Sequence, residues 1–267
     1  MASSILDIHH HIDIQPWSTH VDLAKDYENR IRIMDENGID QATISPGNSF
    51  YRPHGIDDTR RINDLVADYV AKYNDRFPIG LGVVLPLQGD ESLAEMERAV
   101  YDLGLRGFDW HNMCLGVPID HEMMYRFLEV AMNIGVPAFI HAFPESTNEA
   151  PWRLEKIAGD FPEVTIVALS ALCVWSYVES VIRIAERHPN ILVDTLFFPV
   201  NKILERCVAN LGAQRVLFGS DLVTTPEEKS YHHSASLEEI RRSTALNDQE
   251  KAQILGQNAR QLFGISV

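Results

Sequence analysis

The sequence predicts a (β/α)8 barrel. Three observations carry that prediction: eight short apolar runs, helically spaced segments between them, and glycine or proline where the helices must stop. The runs are SILDIHH, IDQATIS, FPIGLGVVLP, LRGFDWH, VPAFIHA, VTIVALS, NILVDTL and RVLFGSD. They are continuously apolar rather than alternating, as expected of parallel strands covered on both faces. After strand 1, Leu23, Tyr27, Ile31 and Met34 step by 4, 4 and 3. Met124, Phe127, Leu128 and Ala131 keep helical spacing before strand 5, as do Val178, Val181, Ile182 and Ala185 before strand 7. Gly38, Gly104, Gly135 and Gly212 stand where helices should close with a left-handed residue. Phe77-Pro78, Phe161-Pro162 and His188-Pro189 mark the other three junctions, since proline cannot continue a helix. QEKAQILGQNARQLFGI adds a final helix through Ile254, Leu255, Ala259, Leu262 and Phe263. A doubly wound open sheet is the alternative, but no GxGxxG or Walker-type loop follows any strand. With no linker or low-complexity segment, residues 1–267 read as one barrel domain.

Composition narrows the partners. A net charge of −15 repels nucleic acid and anionic membranes, so neither is expected to bind. VTIVALSALCV, the longest apolar stretch, is too short to span a bilayer, and no basic leader precedes Ile5-Leu6. Cys114, Cys173 and Cys207 form neither a disulfide framework nor a CxxC pair, so the expected compartment is the reducing cytoplasm.

Barrel chemistry sits at the C-terminal ends of the strands. Those ends carry His9 and His11 (strand 1), His111 (strand 4), His141 (strand 5), Ser170 (strand 6) and Asp221 (strand 8). His9 and His11 lie two apart, so both imidazoles point the same way, with Cα atoms roughly 6.6 Å apart. His10 points the other way. His9, His11, His141 and Asp221 offer three imidazoles and a carboxylate. That set suits one Zn²⁺, with Mn²⁺ or Fe²⁺ as alternatives, and leaves room for a water.

The DxHxH of DIHHH, the histidine of VPAFIHA and the aspartate of VLFGSD, in this order, resemble the amidohydrolase superfamily. The likeness is to the amidohydrolase-related branch that includes aminocarboxymuconate-semialdehyde decarboxylase. NDLVADYVAKYNDRFPIGLGVVLP, RHPNILVDT and ILGQNARQLFGI are similar to that branch's connecting segments. The resemblance implies one divalent metal at the four residues above, and assembly as a homodimer or larger homo-oligomer. It further implies hydrolysis, or less commonly non-oxidative decarboxylation, of a small molecule.

Two departures stand out. The branch usually ends strand 6 in histidine, and this chain has Ser170, which is no general base near neutral pH. The superfamily often has lysine on strand 4, where this chain has Asp109, Trp110 and His111, so a lysine-bridged binuclear site is not expected. Asp221, His111 and Ser170 are therefore the candidate catalytic residues. Trp17, Arg52 and Arg153, on the loops after strands 1, 2 and 5, are candidates to hold a flat, carboxylated substrate. Three functions follow. The first is a hydrolase of amides, esters or lactones using metal-activated water. The others are a metal-dependent decarboxylase of an aromatic or unsaturated acid, and a catalytically weakened ligand-binding barrel suggested by Ser170.

Overall fold

The apolar runs fold as parallel strands in the computed structural model, which describes residues 4–12, 22–47, 52–196, 202–224, 230–231 and 234–265. Strand 1 is split into β1 (Leu6–Asp7) and β2 (His10–Ile12). Helix α1 (Leu23–Asn37), β3 (Gln41–Pro46), α2 (Ile56–Lys72), β4 (Ile79–Gly80) and α3 (Asp90–Tyr101) follow. After β5 (Phe108–Trp110) come a one-turn α4 (Asn112–Leu115) and then α5 (Glu122–Ile134). The alternation continues through β6 (Ala138–His141), α6 (Trp152–Asp160), β7 (Ile166–Leu169), α7 (Val178–Arg187), β8 (Ile191–Asp194) and α8 (Ile203–Leu211). Strand 8 is split like strand 1, into β9 (Val216–Leu217) and β10 (Leu222–Thr224), and β11 (Ser230–Tyr231) pairs antiparallel with β10. Helices α9 (Ser234–Arg242), α10 (Asp248–Ala252) and α11 (Asn258–Phe263) follow, with a π-helical segment at Gln253–Gln257.

The parallel pairings follow barrel order. β1 and β2 both pair with β3, β3 with β4, and β5 through β9 pair in sequence. A bridge between Gly82 and Phe108 joins the two sheets on one side. On the other, Ile8 N–H donates to Phe218 O at 2.9 Å, and β10 runs parallel to β2. This is the α/β arrangement the runs predict, and α1 and α5 stop at left-handed Gly38 and Gly135 as expected.

Inside the ring, Leu6, Ile8, Ile79, Leu81, Phe139, Val167, Leu169 and Leu217 pack on one another, with Ala259 and Phe263 of α11 against them. Ile5 and Ile12 instead join the larger core between strands and helices. Ile8 faces inward and so do His9 and His11, which a strict two-residue alternation forbids. The break between β1 and β2 supplies the missing half-step, as a bulge does.

Three features were not foreseen. The third run keeps only a two-residue strand. Helices α4 and α9 carry no spacing signal strong enough to announce them. The final helix is interrupted by its π-helical segment, where a Cβ on Gly256 would lie 2.5 Å from Ser4 O. Helix and strand 1 touch backbone to backbone there, and Ile254 O accepts the amide of Phe218 at 3.0 Å. No described helix is long and apolar enough to cross a membrane.

Candidate metal centre

Three buried imidazoles meet at the C-terminal ends of strands 1 and 5: one ligand nitrogen from each of His9, His11 and His141 lies within 4.8 Å of the others. His9 Nε2 and His11 Nε2 are 3.0 Å apart, and Asp221 Oδ1 lies 3.5 Å from the first and 3.4 Å from the second. Asp221 reaches them from a backbone bent into the left-handed region, φ 54°, at the break between β9 and β10. Ligands about 2.1 Å from one tetrahedral ion sit about 3.4 Å apart, so these separations fit a shared cation. His141 Nε2 is buried with no hydrogen-bond partner among the described residues, a cost that a bound ion would remove. The donor set therefore fits a divalent metal.

Each imidazole is also held from behind. His9 Nδ1 is 2.8 Å from Asp194 Oδ2, His11 Nδ1 is 2.7 Å from Ser45 Oγ, and His141 Nδ1 is 3.5 Å from Ser170 Oγ. Such contacts choose the tautomer and aim the other nitrogen at the site. Burial, reinforced by neighbouring imidazole charge, keeps His11 and His141 well below the usual histidine range, so both are neutral and competent to ligate. Burial opposes the charged form of His9 too, but Asp221, Asp194 and Asp109 together lift it to about 9.

The backbone around these ligands is tied by buried charge. Asp7 Oδ1 accepts the amides of His9 at 3.0 Å and Ser220 at 3.1 Å, joining strands 1 and 8 beside the site. His10 turns away, as its alternation predicts, with Nε2 3.2 Å from Asp7 Oδ2. Arg30, fully buried, donates to His11 O at 2.9 Å and Leu222 O at 3.3 Å, and pairs with Asp26 at 2.8 Å.

Strand 4 brings two more groups. Asp109 Oδ1 lies 3.5 Å from His141 Nε2, and burial pushes its carboxyl up to about 6. His111 stacks on His141 at 4.2 Å between ring centroids and 9° between planes. Its Nδ1 is 2.6 Å from Oε1 of fully buried Glu149, which also accepts the amide of Met113 at 2.8 Å. Burial works against the charged ring, yet Cys114 and Glu149 raise it to about 10.

The substrate-binding candidates fare differently. Arg153 pairs with Asp120, and its Nε donates to Thr147 O at 2.7 Å, bracing the loop after strand 5. To clamp a substrate it would have to give up those partners. Arg52 is half-buried near Asp58, and burial lowers its guanidinium to about 10. Trp17 lies outside the described residues. Sequence reasoning passed over Asp194, Glu149, Ser45 and Arg30. For Asp194 and Arg30 a signal existed, since a charged residue inside an apolar run or helical core stripe rarely sits there unpaired.

The amidohydrolase family profile matches residues 6–265. Over 127 residues the chain is 32% identical to γ-resorcylate decarboxylase of Polaromonas sp., covering 43% of this chain and 38% of that one. Over 129 residues it is 30% identical to 2-keto-4-carboxy-3-hexenedioate hydratase of Sphingobium sp., covering 42% and 37%. Over 100 residues it is 31% identical to 2-amino-3-carboxymuconate-6-semialdehyde decarboxylase of Dictyostelium discoideum, covering 37% and 25%. These matches span less than half of each relative's length. The fold also superposes on 4-oxalomesaconate hydratase of Rhodopseudomonas palustris with a TM-score of 0.75, at 19% identity over 97% of this chain and 95% of that one. The family profile runs through both split strands and every candidate metal ligand, and the chain belongs to the amidohydrolase family.

Proposed function

We propose that this protein is a metal-dependent, non-oxidative decarboxylase of a small aromatic or unsaturated carboxylic acid. The observation that carries the reading is the convergence of His9, His11 and His141 beside Asp221 at the strand ends. Two of the four proteins named above are decarboxylases, two are hydratases and none is a hydrolase, which favours decarboxylation over the hydrolysis that the strand-end ligands alone would equally allow. His9, His11, His141 and Asp221 would hold one divalent ion, Zn²⁺ by the nature of its ligands, with Mn²⁺ or Fe²⁺ as alternatives. When bound, the ion supplies a positive charge that binds substrate oxygens and stabilises negative charge as it develops.

In the reaction the C–C bond to the carboxylate breaks and CO₂ leaves. The electron pair stays on a carbon conjugated with the rest of the substrate, and that carbon takes up one proton. His111, held by Glu149 and stacked on His141, is the side chain we assign to handle that proton. On this reading Ser170, whose Oγ lies 3.5 Å from His141 Nδ1, backs a ligand and leaves the proton to His111. Arg52 and Arg153 are the described candidates for the substrate carboxylate, and each would exchange its present partners for it. We also propose a homo-oligomer, which a sedimentation mass near the 30.2 kDa of one chain would refute.

The test is metal analysis of the purified protein alongside a panel of hydroxybenzoates and unsaturated di- and tricarboxylates, followed by CO₂ release. Amides, esters and lactones run in parallel, as does water addition to the unsaturated acids. Metal-dependent CO₂ release supports the reading. Metal-dependent hydrolysis or hydration without CO₂ release overturns it.

A further inference from the structure

Asp194 ends β8 and is fully buried, yet it touches two other strands. Its Oδ2 lies 2.8 Å from His9 Nδ1 on strand 1, and its Oδ1 accepts the amide of Ser170, after strand 6, at 3.1 Å. The amide of Leu196 also donates to Oδ1, at 3.4 Å. A carboxylate only accepts, so His9 Nδ1 carries a proton, and in the neutral ring that a metal requires Nε2 is the nitrogen left with the lone pair. That Nε2 is the atom facing His11 Nε2 at 3.0 Å.

The same carboxylate governs a second ligand. Ser170 has φ 58°, a left-handed backbone that a serine adopts only when its surroundings hold it. The hydrogen bond that its backbone N–H donates to Asp194 is such a hold, and it leaves the Ser170 hydroxyl 3.5 Å from His141 Nδ1. Strand 8 leaves space for the pair: a Cβ on Gly219 would lie 2.9 Å from His9 Cβ and 3.3 Å from Asp194 Oδ2. Glycine is therefore the residue that lets strand 8 pass over the His9–Asp194 contact.

We propose that Asp194 is the positioning residue of the metal centre, setting the tautomer of His9 directly and the backing of His141 through Ser170. It touches neither the ion nor the substrate. This inference rests on the metal reading above. It also gives Ser170 a role, as the link between Asp194 and His141.

The experiment compares wild type with Asp194→Asn as metal-free proteins. Dissociation constants for Zn²⁺ and Mn²⁺ come from chelator competition, with circular dichroism and thermal unfolding as the check on folding. Asparagine keeps an acceptor oxygen and the shape but loses the charge. The expected result is a folded variant with metal affinity about 10–100-fold weaker, the range for a lost partner behind a ligand histidine. Unchanged affinity in a folded variant overturns the inference alone. No binding by the wild type overturns the metal reading and this inference with it. If the variant does not fold, ¹⁵N-histidine spectra of metal-loaded wild type decide. A protonated Nδ1 on His9 supports the proposal, and a protonated Nε2 overturns it.

Discussion

The two halves of the barrel are built differently. From β5 to β8 the strands pair in unbroken register, Phe108 with Ala138, Ala138 with Ile166 and Ile166 with Ile191. At the seam between strands 1 and 8 both strands break, at Ile8–His9 and again between Leu217 and Leu222. Buried charge from Asp7 and Arg30, joined by Asp194 reaching across from the end of β8, then replaces part of the ladder. The regular half is held by apolar contact. The seam gives up regularity to turn His9, His11 and Asp221 toward one point, and a break in local rules at a candidate functional site is where one is expected. Substitutions in the two halves should therefore separate stability from metal binding.

The largest effect should come from the seam's ligands. His9→Ala or Asp221→Ala is expected to lower metal affinity by more than the 10–100-fold of an outer-shell change and to abolish activity. Asp221 is partly exposed, so its loss should leave the fold in place at a cost of about 1 kcal/mol, since alanine is penalised at φ 54°. Elemental analysis after dialysis is the measurement, and full occupancy in either variant would remove that residue from the ligand set.

Next in size are substitutions that affect stability. Phe139→Ala, inside the regular half, should cost about 3–5 kcal/mol of unfolding free energy, with metal affinity unchanged in the folded fraction. Arg30→Met at the seam leaves Asp26 buried without its cation, which should also cost about 3–5 kcal/mol. Arg30 additionally holds the carbonyls of His11 and Leu222, so its loss should weaken metal binding as well. Denaturant unfolding paired with metal titration separates the two cases. Equal metal affinities in the two variants would end the distinction between the halves.

Acid probes the seam without mutation. Burial alone would raise the Asp26 carboxyl, but Arg30, Thr224 and Tyr69 outweigh it and hold it below 3.8. A group whose folded pKa is depressed contributes fully above its unfolded pKa and loses that contribution as pH falls through the folded value. Unfolding free energy should therefore decline with acid below about pH 4, less steeply in Arg30→Met. Parallel profiles for the two proteins would show that this pair does not govern the acid limb.

The fold was legible because barrel strands, glycine stops and helix–proline junctions leave local marks on the sequence. The convergence of His9, His11, His141 and Asp221 was legible for a related reason, since strand ends in a barrel meet at one mouth. Asp194 was marked by its place in an apolar run as a paired charge, but its partner lies 185 residues away, and Glu149, 38 residues from His111, carries no such mark; no spacing rule links either pair. The partners of Arg153, Asp120 and Thr147 O, were not legible, because a loop arginine looks the same in sequence whether it braces the loop or awaits an anion. Ser170 marked a departure, but only its backbone angle and its neighbours show that it faces the back of His141.

The smallest expected effect is at Ser170, where two substitutions divide backbone from side chain. Ser170→Ala keeps the left-handed strain of φ 58° and removes the hydroxyl. Ser170→Gly removes the hydroxyl and the strain together. The glycine variant should be about 1 kcal/mol more stable than the alanine variant, since alanine is penalised wherever φ is positive. Both lose the 3.5 Å contact with His141 Nδ1, a long hydrogen bond, so metal affinity should fall only a few-fold, and equally in the two. If alanine weakens metal binding and glycine does not, the rigid turn rather than the hydroxyl sets His141. If neither variant changes affinity, His141 is aimed by its ring contacts with His9, His11 and His111 alone.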